Sequence, residues 1–177
     1  MSNGESSGSE KFAGLTESKI EEEQESEVKV EIVKEVTPEL VEGVKKLVPE
    51  LGSVNQVKIT EEYLTELIES KSSHLLVARN PEKQIEGMAV LVVYPCLVNY
   101  RGLIETLVVD PSARKKGVAS AIIKQALQEA DKLDVNNVRV CTYKTNIPAN
   151  NLLKKSGGVF NEEEGWYDFE LKRGPRR

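Results

Sequence analysis

Residues 114–120 read Arg-Lys-Lys-Gly-Val-Ala-Ser. They follow a strongly apolar run, Ile104 to Val109, and a polar turn through Asp110-Pro111, and they open an amphipathic helix. This spacing suits phosphate binding. The first N–H groups of a helix lack intrahelical acceptors and sit at the positive end of its dipole. Gly117 and Ala119 allow an anion to approach the main chain. The charges of Arg114, Lys115 and Lys116 attract a polyanion from a distance. A merely solvated, basic helix start would look similar over these few residues. The strand–turn–helix context and a second motif downstream weigh for the functional reading.

Glu105 interrupts the apolar run Leu103-Ile104-Glu105-Thr106-Leu107. A carboxylate in a central strand costs free energy unless it is solvated or hydrogen-bonded, so it marks a cleft. Strict alternation would put it on the strand face of Leu107 and Val109. Its plain alternative is a carboxylate that faces solvent or orients a neighbour. Asn146, ahead of Ile147-Pro148, has the makings of a helix cap. His74, the only histidine, begins a strand, and no Gly-x-Ser-x-Gly occurs. We read it as structural, which disfavours a hydrolase built on a histidine triad.

These positions need a scaffold, and the pattern along the chain predicts one. Val28–Val33 alternates as a strand. Thr37-Pro38 starts a helix whose apolar face is Leu40, Val41, Val44, Leu47 and Val48 and which Pro49 stops. A loop from Gly52 to Lys58 leads to a second helix capped by Thr60. Strands over 74–79, 84–94 and 101–109 form an antiparallel meander. A helix over about 116–133 follows, then a strand over 138–143. Because a helix joins them, the 101–109 and 138–143 strands are expected to be parallel neighbours. A short helix over 147–156 ends at Ser156-Gly157-Gly158, and strands at 159–161 and 166–172 close the chain.

Two motifs carry a family resemblance. The first is Arg-x-x-Gly-x-Ala, here Arg114, Gly117 and Ala119, after a strand ending in Val-Val-Asp-Pro. The second is Asn146, Ala149, Leu152, Leu153 and Gly157, then Gly158, Val159 and Phe160, against a pattern of roughly Asn-x-x-Ala-x-x-Leu-Tyr-x-x-x-Gly-Phe. Together with the element order over about residues 29–172, the chain resembles the GNAT N-acetyltransferases. The resemblance implies an α/β (α+β) fold with a mixed, mostly antiparallel central sheet of six to seven strands and about four flanking helices. It implies two parallel central strands that splay apart, with acetyl-CoA as cosubstrate in the opening. The main chain of Leu107, Val108 and Val109 would hold the pantetheine arm and the thioester carbonyl. The residues Arg114, Lys115, Lys116, Gly117, Val118, Ala119 and Ser120 would cradle the pyrophosphate, and Asn146 would hydrogen-bond the pantetheine.

The implied reaction is transfer of acetyl to a primary amine by direct attack in a ternary complex. An ammonium has no lone pair, and a lysine-like amine has a pKa near ~10.4, so a base must collect its proton. Glu105 is the candidate for that catalytic role. The family's tyrosine, often the acid that protonates the leaving thiolate, falls at Leu153, and leucine donates no proton. Water, Tyr143 or Tyr167 are the alternatives, or the thiolate leaves unassisted, which a thiol pKa of ~8.5 tolerates. The same departure motivates a rival reading, a catalytically weak acetyl-CoA-binding module acting through a protein partner. An α/β domain without a CoA site is a third.

Composition bounds these readings. The 177 residues suit one domain with extras. The first 28 residues hold eight Glu and two Lys, a net of −6 against −5 for the whole chain, so residues 29–177 carry about +1. A nearly neutral domain gives no support for nucleic-acid binding. We expect an acidic, disordered tail over 1–27, the transferase domain over 28–173 and a short basic tail over 174–177. Cys96 and Cys141 sit in apolar runs and read as buried thiols. No zinc spacing occurs, so no metal is expected. No signal peptide and no apolar run of ~20 residues is present, so the expected partners exclude a membrane and the expected location is cytoplasmic. The remaining partners are a small-molecule or protein amine and, as the family allows, a second copy of the chain in a homodimer. In the fold that the resemblance implies, the acceptor region would be about 37–70 with the last strands. Glu61, Glu62, Glu66, Glu69 and Glu162–Glu164 there would favour a cationic acceptor, although charged helix faces are commonly just solvated.

Overall fold

The computed structural model describes residues 28–52, 58–162 and 165–171. The expected tails at 1–27 and 174–177, most of the Gly52–Lys58 loop, and Glu163 and Glu164 lie outside the described residues.

The chain begins with strand β1 (Lys29–Ile32). Helix α1 (Pro38–Leu47) has Pro38 in its first turn, and the Thr37 hydroxyl oxygen accepts the Leu40 N–H at 3.2 Å. Leu40, Val41, Val44 and Leu47 are its buried face. Pro49 does not simply stop this helix. After Leu47 the chain tightens into a 3-10 turn, Val48–Leu51. Helix α2 (Glu61–Glu69) is capped by Thr60, whose side chain accepts the Tyr63 N–H at 3.2 Å. Strands β2 (Ser73–Arg79), β3 (Ile85–Pro95) and β4 (Tyr100–Val109) form the expected meander. Helix α3 (Val118–Lys132) leads to β5 (Val135–Cys141). Helix α4 (Ile147–Lys155), β6 (Val159–Asn161) and β7 (Trp166–Glu170) complete the described chain.

The sheet order is β1-β2-β3-β4-β5-β7-β6, with every pair antiparallel except β4–β5. The α3 crossover makes that pair parallel, because two same-direction neighbours need a long connection. The β5 strand starts three residues earlier than the alternation indicated. Asp134, at φ 63°, turns the chain directly out of α3, and Val135 is fully buried against it. The strand also ends at Cys141, so Tyr143 lies beyond it and is 84% exposed.

Each sheet face carries its own apolar layer. Between the sheet and helices α3 and α4 pack Leu76, Leu91, Ile104, Ile122, Val138, Leu153 and Tyr167. Between the sheet and helices α1 and α2 pack Leu40, Val44, Leu64, Val77, Met88 and Val108. Neither cysteine is buried as expected. Cys96 is half-buried in the β3–β4 turn, and Cys141 is exposed at the last residue of β5, where pairing to β4 has already ended.

Two ion pairs fasten the end of α1 to the chain that leaves β4. Lys46 Nζ lies 2.7 Å from Asp110 Oδ2, and Arg114 Nη2 lies 2.6 Å from Glu50 Oε2. Asp110 is the one buried polar or charged side chain among the described residues, 7% exposed. Its other oxygen accepts the Ser112 N–H at 2.9 Å and the Ser112 hydroxyl at 2.6 Å. The Lys46 ammonium and the two Ser112 donors hold its carboxyl far below the usual carboxylate range. A depressed folded pKa means stability that is fully present above the unfolded value, ~3.9, and lost as pH falls below it. Asp110→Asn is therefore expected to cost about 1–3 kcal/mol at pH 7 in urea unfolding. The deficit should shrink as both proteins are taken below about pH 4. A deficit independent of pH would show that the charge is not what matters.

Candidate active site

The β4 and β5 strands pair only from Tyr100↔Val135 to Ile104↔Val140. Beyond that, β4 runs on for five residues with no partner on its β5 side. An opening between parallel strands follows, and its β4 wall is shaped by a bulge. Opposite β3 the register steps from Val90↔Glu105 to Met88↔Val108, so Thr106 and Leu107 together oppose Ala89. Thr106 takes φ 52°, an unusual conformation for a β-branched residue and the mark of a strained site.

The bulge corrects the expected placement of Glu105. Alternation without an extra residue would align Glu105 with Leu107 and Val109. In the structure Glu105 shares the α1/α2 face with Val90 and Val108, whereas Leu107 and Val109 pack on the α3 side. Glu105 is exposed and has no partner among the described residues. The bulge also sorts the main chain. The Asp110 N–H donates to the Glu86 carbonyl at 2.8 Å, which fixes the alternation of bonded pairs. Val108 accordingly directs its amide and carbonyl to Met88 on β3, away from the opening. Leu107 and Val109 direct theirs to the free edge. Of the three expected main-chain contacts, Val108 is thus the one not at the opening.

The chain leaves β4 through a 3-10 turn, Pro111–Ala113, with Ala113 fully buried. Lys115 (φ 63°) and Gly117 (φ 81°) both take left-handed backbone, which reverses the loop onto the start of α3. Glycine adopts this at little cost; lysine does not. Helix α3 has no capping side chain, and its first helical bond is Ala121 N–H to Gly117 O at 2.9 Å. The amides of Val118, Ala119 and Ser120 donate to no acceptor among the described residues. Arg114, Lys115, Lys116, Gly117 and Ser120 are exposed. Gly87 lets this helix start approach the sheet, since a Cβ there would lie 2.9 Å from Val118 and 3.0 Å from Ile122.

Across the opening, Asn146 caps α4, its Oδ1 accepting the Ala149 N–H at 3.3 Å. Asn150 knits this turn: its Nδ2 donates to the carbonyls of Tyr143 at 3.0 Å and Asn146 at 2.7 Å. Its Oδ1 accepts the Tyr167 hydroxyl at 2.9 Å. Leu153 is a core residue, 1% exposed. Tyr167, equally buried, packs its ring 5.0 Å from that of Phe160. His74 is half-buried on β2, and burial lowers its pKa. No cluster of three or more His, Cys, Asp or Glu among the described residues could hold a metal ion.

One polar cluster escaped the sequence reading. On the same sheet face as Glu105, Arg139 lies 4.1 Å over the Trp166 ring and its Nε donates to Asp168 Oδ1 at 3.2 Å. Asn137 donates to the same oxygen at 3.1 Å, and the Trp166 indole N–H to the other at 3.2 Å. Alternation in Val138-Arg139-Val140 and Trp166-Tyr167-Asp168-Phe169 marks these as the polar sides of two strands. Only the β5–β7 register, Arg139↔Asp168, joins them. A surface cavity of about 730 Å³ lies elsewhere, between α1 and the start of α2, lined among others by Val41, Lys45, Ile59, Thr60 and Glu62. Its lining mixes both charges and brings no set of groups to one reacting point.

Residues 44–158 match the acetyltransferase (GNAT) family. No curated protein sequence matches the chain. Among solved structures, the chain superposes on an aminoglycoside acetyltransferase from an uncultured soil metagenomic sample, in complex with trehalose. The TM-score is 0.69 at 19% identity, over 82% of this chain and 97% of that one. Glucosamine-6-phosphate N-acetyltransferase from Arabidopsis thaliana gives 0.63 at 14% identity, over 82% and 98%. A GNAT-family acetyltransferase from Staphylococcus aureus gives 0.65 at 12% identity, over 81% and 100%. At these identities the structural likeness speaks for the fold alone.

Proposed function

The chain belongs to the acetyltransferase (GNAT) family and is an N-acyltransferase, and we propose that it moves acetyl from acetyl-CoA to a primary amine by direct attack in a ternary complex. One observation carries this reading. The main-chain groups of Leu107 and Val109 face the open side of β4, and the turn and loop that follow lead to a helix start whose first three amides lack acceptors among the described residues. A long ligand with a diphosphate at one end and amides along its arm fits such a line.

In this reading the amides of Val118, Ala119 and Ser120 take the diphosphate, with Lys115 and Lys116 beside them. Arg114, Gly117 and Asn146 complete the proposed contacts. The main-chain groups of Leu107 and Val109 align the arm and the acyl carbonyl along the strand. Glu105, turned by the bulge to the other sheet face, collects the proton of the attacking amine, directly or through water. Rate enhancement comes mainly from holding amine and thioester in line, with main-chain donors at the developing oxyanion. The leaving thiolate finds no acid at Leu153, and the Tyr167 hydroxyl is committed to Asn150. A thiol pKa of ~8.5 allows it to depart with water as the proton source.

The amine reading draws support from the fold neighbours that act on an aminoglycoside and on glucosamine 6-phosphate. The exposed Glu61, Glu62, Glu66 and Glu69 favour a cationic acceptor. The first test is thermal unfolding with CoA. At 100 times its dissociation constant CoA is expected to stabilise the protein by about 2.7 kcal/mol. CoA release from acetyl-CoA with a panel of amines then reads turnover. An unchanged melting temperature at millimolar CoA would rule the site out.

A further inference from the structure

We propose that Glu50 is a positioning residue that holds Arg114 across the free edge of β4, and that CoA binding draws this guanidinium off the carboxylate. The inference rests on the reading of 114–120 as the diphosphate loop. Arg114 makes two contacts at once. Its Nη2 lies 2.6 Å from Glu50 Oε2, and its Nε donates to the Val109 carbonyl at 3.2 Å. That carbonyl is one of the main-chain groups that Val109 directs into the opening, because Asp110, the next residue, bonds Glu86 on β3. The arginine therefore covers an acceptor that the arm of CoA would otherwise meet.

Glu50 is held in place by the fold. It stands on the 3-10 turn that continues α1, and α1 is tied to the same stretch of chain by Lys46–Asp110. The two side chains of the latch are partly exposed, 52% for Arg114 and 35% for Glu50. A screened pair of this kind is weak. A diphosphate offers a guanidinium denser charge and two-pronged geometry, so it competes well for the same donors. While Glu50 holds Arg114, the loop also lacks one of the positive charges that attract the polyanion. The apparent affinity for CoA is lowered by the fraction of molecules in the latched arrangement.

Titration calorimetry with CoA tests this on four variants. Glu50→Gln is expected to bind CoA about two- to fivefold tighter than the parent, the range set by a partly exposed ion pair. Glu50→Asp keeps the charge but shortens the reach, and should tighten binding similarly. Glu50→Gln in an Arg114→Gln background should bind as Arg114→Gln alone. Equal or weaker binding by Glu50→Gln overturns the proposal. So does parent-like binding by Glu50→Asp, which would mean that charge alone matters, or a gain that persists without Arg114. Should Arg114→Gln bind too weakly to measure, the Glu50→Asp result decides. Absence of CoA binding by the parent would instead refute the diphosphate loop itself, and the latch with it.

Discussion

Replacing Gly117 by glutamate should abolish CoA binding, with a loss of about 100-fold or more, equivalent to roughly 2.7 kcal/mol. Gly117 sits at φ 81° and is the N-cap of a helix with no capping side chain. Any L-residue there meets a backbone cost of about 1–2 kcal/mol. The larger effect is electrostatic. A carboxylate at this position lies beside the amides of Val118, Ala119 and Ser120 and repels the diphosphate. The negative charge at the positive end of the α3 dipole offsets part of that backbone cost. Gly117→Ala serves as the control: it carries the backbone cost without the charge and should lose no more than about tenfold. Calorimetry with CoA reads both. Parent-like affinity in Gly117→Glu would remove the diphosphate assignment.

Glu105→Gln should lower turnover by about 10²–10⁴-fold, the usual contribution of general-base catalysis. CoA affinity should stay within about twofold of the parent. The bulge is the reason for this split. It puts Glu105 on the α1/α2 face, and it puts Leu107 and Val109 on the α3 side with their main-chain groups at the free edge. A base on the acceptor side can be lost without disturbing the cosubstrate side. Glu105 is exposed and unpaired among the described residues, so the change should alter stability by less than about 0.5 kcal/mol. The pH–rate profile of the variant should differ from the parent's. A profile that matches the parent's would show that the proton goes elsewhere.

Much of the scaffold was legible because its signals are local. Thr37-Pro38 and Thr60 announce helix starts through side chains that reach three residues ahead, and both caps form. Gly157, at φ 90°, ends α4 where the glycine pair indicated. The α3 periodicity and its length implied a crossover, and the crossover made β4 and β5 parallel. Where the reading slipped, a non-local partner decided. Val135 joined β5 because β4 offers Tyr100 opposite it. Cys141, apolar by its neighbours, is exposed because the strand it should pair with has already turned away.

The family, the order of elements and the phosphate-friendly helix start could be read from residue types alone, since each depends on residues within a few positions of one another. Which way Glu105 points, which main-chain groups reach the opening, and that Glu50 meets Arg114 from 64 positions away depend on long-range packing. The physical reason is the bulge at Thr106. One extra residue in β4 inverts the face of every side chain after it, and its presence is set by how β3 pairs with β4, a match between two strands that neither strand's own alternation encodes.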